Sequence, residues 1–95
     1  MIVGLGKITF RLHGCCSLKG KRTIVKSIIT RVRNKFNVAV AEIGLNDVHQ
    51  RAQIGFALVG NNRQVVNSKI DKIFNLVDIL GAGEIIDTEM EIINL

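Results

Sequence analysis

The sequence predicts an α+β domain of two layers, a four-stranded antiparallel sheet on one side and two helices on the other. Three observations predict it. Apolar residues alternate with period two around residues 2–13, 51–59 and 86–93. They recur at helical spacing in two longer stretches, Leu18 to Phe36 and Val66 to Leu80. With a further short strand between them, the order is β-α-β-β-α-β within 95 residues, the length of one domain.

The first strand places Ile2, Ile8, Phe10 and Leu12 on one face, with Gly4 and Gly6 leaving room there for a close approach of another backbone. Lys7, Thr9, Arg11 and His13 take the other face. Gly14 to Ser17 interrupts, and Ser17 is placed to accept from the free amides of a helix start. Leu18, Val25, Ile28, Ile29, Val32 and Phe36 then share one helical face. Residues 37–44 read as a second strand, and Asn46 and Asp47 as part of a loop. In the third strand Ala52, Ile54, Phe56 and Leu58 share one face. Gly60-Asn61-Asn62 offers an Asn cap to the second helix, which buries Val66, Ile70, Ile73, Val77 and Leu80 and ends at Gly81 and Gly83. In the fourth strand Ile86, Thr88, Met90 and Ile92 alternate with Asp87, Glu89, Glu91 and Ile93.

Right-handed crossovers through the helices, and a short connection between the middle strands, resolve this order into a ferredoxin-like βαββαβ sandwich. The first and third strands are central, and the fourth lies beside the first. The helices cover one sheet face only. On the open face Lys7, Thr9 and Arg11 should lie across from Asp87, Glu89 and Glu91, each opposite pair contributing roughly 0.2–1 kcal/mol. Val3 and Leu5 share that face and offer a seed for self-association, as do the strand edges, so a homodimeric interaction module is one expected mode.

Composition excludes several classes. Hydrophobic residues are 47% and charged residues 22%, which is a globular balance rather than a disordered one. The longest apolar run, Ile54 to Val59, is far short of the roughly 20 residues of a membrane span. Alternation begins at Ile2, so no secretory leader is expected and the cytoplasm is the expected location.

Charge is divided unevenly. Residues 1–41 hold nine Lys or Arg and no acid; residues 42–95 hold four bases and eight acids, so the halves carry +9 and −4 and together +5. Seven of the bases fall on the first helix: Lys19, Lys21, Arg22, Lys26, Arg31, Arg33 and Lys35. Cations in its first turn oppose the helix dipole, and like charges repel along it. On a helical wheel Lys19, Arg22, Lys26 and Arg33 fall within about 60° of one another. Such a stripe points to a polyanion, and Lys19, Lys21, Arg22, Lys26 and Arg33 are the candidate nucleic-acid contacts. A merely solvated helix face is the competing reading.

Ser17-Leu18-Lys19-Gly20-Lys21-Arg22, Val25-Lys26-Ser27, Arg33-Asn34-Lys35-Phe36-Asn37-Val38, Val40-Ala41-Glu42 and Gln50-Arg51-Ala52 together resemble the YlxP-like family of small bacterial proteins, whose function is unknown. The resemblance covers essentially the whole chain. It implies a ferredoxin-like fold and a connection to RNA or the ribosome. The chain differs from many relatives at Gly20, at His49, and at Cys15 and Cys16.

Other chemistry finds less support. His13, Cys15 and Cys16 cluster after the first strand, but adjacent cysteines lack the Cys-x-x-Cys spacing that metal-transfer domains of this topology use, so they are weak metal candidates. An acyl-phosphate phosphatase needs an Arg in a glycine-rich phosphate loop, and residues 13–20 have none. Base stacking on the sheet needs aromatics on its open face, yet parity puts Phe56 in the core and the chain has no Trp or Tyr. Glu42, Asp47, His49 and Arg51 surround the connection between strands two and three and read most simply as a polar loop that could take a small ligand. The expectation is a non-enzymatic protein without cofactor, with RNA or the ribosome as partner, or a second copy of itself.

Overall fold

A computed structural model describes residues 1–95. Its elements are β1 (Ile2–Arg11), α1 (Leu18–Lys35), β2 (Ala39–Gly44), β3 (Arg51–Gly60), α2 (Arg63–Leu80) and β4 (Glu84–Asn94). The strands form one sheet in the order β2-β3-β1-β4, every neighbour antiparallel. This is the ferredoxin-like sandwich that the alternation predicts. No helix is long and apolar enough to cross a membrane.

The caps follow from the residues that flank each helix. Ser17 is extended and accepts from Gly20 N at 3.0 Å. Asn62 accepts from Gln64 N at 2.9 Å and Val65 N at 3.2 Å. Gly81 closes α2 with φ of 62°, a left-handed conformation that costs glycine nothing sterically. Val25, Ile28 and Val32 of α1 and Val66, Ile70, Ile73 and Val77 of α2 are buried against Ile8, Phe10, Ile54, Phe56 and Leu58 of the sheet. Each such side chain contributes about 1.5–3 kcal/mol through the apolar area it removes from water.

Two details differ from the period-two reading. The space above Gly4 and Gly6 is filled by side chains and not by backbone: Val66 and Ile70 press on Gly4, and the Phe56 ring lies directly over Gly6. That ring then meets Phe74 edge-on, with centroids 5.6 Å apart. In β4 the register slips between Thr9 and Phe10, so Thr9 faces Asp87 whereas Phe10 faces Ile85. Ile86 is the extra residue of a bulge and is 38% exposed, while Ile85 packs against the core in its place. Beyond the bulge the expected parity holds, with Ile92 on the core side and Lys7 opposite Glu89.

Candidate nucleic-acid interface

The core stripe of α1 is Lys21, Val25, Ile28 and Val32, spaced four, three and four residues apart. Lys21 is the surprise in that row. It is only 1% exposed, its Nζ donates to the Leu45 carbonyl, and it lies 3.1 Å from Glu42 Oε2. Leu45 begins the β2–β3 loop with φ of 59°, so the ammonium holds the carbonyl of the left-handed turn residue itself. The grouping of Lys21 with the exposed bases is therefore corrected. It is an internal clamp between α1 and the loop, and no polyanion reaches it. Its spacing to Val25, Ile28 and Val32 is the signal in the sequence that marks it as inward.

Lys19, Arg22, Lys26 and Arg33 are all exposed. Arg22, Lys26 and Arg33 line an open groove between α1 and β2, whose walls include Val25, Ile29, Val40 and Ala41. Arg33 is tethered at one end of it: Nη2 donates to the Val40 carbonyl at 3.2 Å. Glu42 also lines the groove, but its carboxylate is engaged by Lys21. Arg31 is exposed away from the groove, and Lys35 lies toward α2, near Lys72.

The structure does not gather the weak metal candidates. His13 Nε2 lies 2.6 Å from Glu84 Oε2 at the start of β4. Cys15 is buried with its Sγ toward the Ser17 carbonyl, and Cys16 is exposed. No three His, Cys, Asp or Glu side chains come together anywhere in the chain. Around the β2–β3 loop, Asp47, His49 and Arg51 are exposed, while Glu42 turns toward α1.

Two ion pairs tie β1 and its following loop to β4. The Lys7 ammonium sits 2.9 Å from Glu89 Oε2, as the opposed charges on the open face predict. Its hydrogen bond and charge interaction with Glu89, helped by Asp87, hold the Lys7 ammonium above its ordinary value. The hydrogen bond from His13, followed by the charges of His13 and Arg11, holds the Glu84 carboxyl below its ordinary value. The signs differ. Stability from Glu84 is present above its unfolded-state value and is lost as pH falls through the lower folded one. Stability from Lys7 is present below its unfolded-state value and is lost as pH rises through the higher folded one. In an NMR titration, Glu84 should ionise at lower pH than in a His13→Ala variant. Equal midpoints would show that the pair does not persist in solution.

Comparison with known proteins agrees with the fold. Residues 3–90 match the family model described as "Protein of unknown function (DUF503)". The uncharacterized protein YlxP of Bacillus subtilis is 35% identical over 77 residues, which cover 81% of this chain and 84% of that one. Among solved structures, the de novo designed protein Foldit4 superposes with a TM-score of 0.54 at 12% identity, over 99% of this chain and 97% of that one. A protein from Arabidopsis thaliana superposes with a TM-score of 0.54 at 11% identity, over 98% and 94%. Likeness at such low identity speaks for the fold alone. The match along nearly the whole chain, together with the relative from Bacillus subtilis, makes this protein a member of the DUF503, or YlxP-like, family.

Proposed function

We infer that the protein is an RNA-binding, ribosome-associated factor that grips phosphates with the exposed stripe of α1. The observation that carries this reading is the stripe itself: Lys19, Arg22, Lys26 and Arg33 project from a helix without a single acid. Glu42, the acid that α1 does meet, neutralises buried Lys21 and leaves these four free to act on an outside anion. With no aromatic on the open sheet face, binding of this kind follows backbone and shape and is not read from base edges.

Each phosphate contact releases condensed counterion, so affinity falls steeply with salt. Four contacts on single-stranded or loop RNA give a log–log slope of roughly −3. Replacing Lys26 and Arg33 together by Gln should flatten that slope by about 1–1.5 units. Because Arg33 also bonds the Val40 carbonyl, this variant loses about 0.5–1.5 kcal/mol of stability through that bond. An Arg22→Gln, Lys26→Gln pair avoids the cost and should flatten the slope equally. Changes at Arg51 and Lys72 should leave it alone. Filter binding to structured RNA and ribosome co-sedimentation at two salt concentrations read the outcome. Equal binding by the native and the doubly replaced proteins would reduce α1 to a solvated face.

A further inference from the structure

We propose that the outer edge of β4 takes up an extended segment of a partner protein as an added strand, a segment in which Lys or Arg alternates with uncharged residues. The α1 bases lie beside β2, at the opposite side of the sheet, and take no part. Met1 N donates to Leu95 O at 2.8 Å and Leu95 N to Met1 O at 2.8 Å, so these two residues form a doubly bonded pair. In an antiparallel ladder such pairs alternate with non-bonded ones. Val3–Ile93, Leu5–Glu91, Lys7–Glu89 and Thr9–Asp87 are therefore the bonded pairs of β1 and β4. Thr88, Met90, Ile92 and Asn94 direct their N–H and C=O groups outward, where no turn or cap engages them.

β4 has no Lys, Arg or Pro to blunt this edge, and its bulge at Ile86 lies at one end, which leaves Asp87 to Asn94 regular. On β2, by contrast, Arg33 holds the Val40 carbonyl. Asp87, Glu89 and Glu91 stand in one column on the open face. Lys7 matches Glu89, but Asp87 and Glu91 lie across from Thr9 and Leu5 and make no ion pair. An added strand sets its own side chains about 4.5–5.5 Å from this column, where Lys or Arg is favoured.

The alternate residues of the added strand turn to the helix side, into an open groove lined by Met90, Ile92, Arg63, Gln64 and Asn67. Arg63 opposes a further cation there, while exposed Met90 and half-buried Ile92 accept apolar or hydroxyl side chains. Main-chain hydrogen bonds hold such a segment, and the alternate side chains select it. A second copy of this chain does not fit. β4 on β4 would set acid beside acid, and β2 carries Glu42 and no base. The acidic column repels a polyanion in the same way.

NMR titration with the capped peptide Lys-Thr-Lys-Val-Lys-Thr-Lys tests the proposal. With a Kd of about 1 mM or tighter, the peptide should move the amide signals of Thr88, Met90, Ile92 and Asn94 most, because those N–H groups gain acceptors. The double variant Asp87→Lys, Glu91→Lys should weaken binding at least about fivefold. Met90→Pro removes one outward donor, spares the ladder to β1 and should abolish the shifts. Circular dichroism reports whether each variant folds, and the charge variant decides if the proline variant does not. Lys-Lys-Lys-Lys-Thr-Val-Thr, of the same composition, should bind more weakly, and Glu-Thr-Glu-Val-Glu-Thr-Glu should not bind. Equal shifts with the clustered peptide would mean charge attraction without strand addition and overturn the proposal. So would the absence of shifts along β4, binding that the charge variant leaves unchanged, or a native dimer in sedimentation that Met90→Pro dissolves, which would assign the edge to a second copy.

Discussion

Lys21→Met should destabilise the protein by about 2–4 kcal/mol, although it replaces a surface-type residue by an apolar one of similar length. The loss comes from what stays behind. Glu42 Oε2 is shielded from water and has Lys21 as its charge partner, and the Leu45 carbonyl has the same ammonium as donor. Removing one member of a buried pair strands the other, at about 3–5 kcal/mol when both are fully enclosed. The Glu42 side chain is 20% exposed, which lowers the expectation to about 2–4 kcal/mol. A Lys21→Met, Glu42→Leu double variant should recover most of the loss, because an apolar pair of similar volume fills the same space. Urea denaturation of both single variants and the double gives the coupling. If the double is no better than the singles, the carboxylate is not what makes Lys21 indispensable.

Gly6→Ala should cost about 3 kcal/mol, an effect far above that of a typical surface exchange. A Cβ at this position would overlap the far end of the Phe56 ring, which is 5% exposed and is braced by Phe74. The ring has no route of retreat, so the strain spreads into β1 and β3 at their pairing, where Gly6 faces Phe56. Phe56→Leu in the Gly6→Ala background should restore part of the stability, although Phe56→Leu alone is destabilising. Thermal melting of the three variants reads this sign reversal. A Gly6→Ala protein that melts within a degree or two of the native one would show that β1 yields more readily than its packing implies.

The same two regions show what could be read in the sequence. Alternation in the strands and the two helical stripes sufficed for the strand order, the open face and the opposition of β1 bases to β4 acids, of which Lys7–Glu89 is the pair formed. Alternation carries no mark of a bulge, because one extra residue merely exchanges parities: Ile85 and Ile86 are both apolar, and either satisfies the pattern. Lys21 escaped for a chemical reason. A lysine is scored as exposed, and only its partner Glu42, distant in sequence and brought near by β2, makes its burial tolerable. The tether of Arg33 to Val40 depends likewise on α1 crossing beside β2, which no local spacing encodes. Lys19, Arg22 and Lys26 stay exposed as the wheel places them, because nothing packs over that flank of the helix.

An uncovered edge strand is a template on which foreign strands crystallise, and natural sheets defend such edges with long charged side chains. β2 is the outer strand on the α1 side, and the Arg33 guanidinium already occupies a backbone acceptor near its start, at Val40. The residue thus sets a charged side chain against this edge besides adding a cation to the α1 stripe. An apolar replacement at position 33 would open a short, alanine-rich strand to strand addition at the moment it removes a solubilising cation.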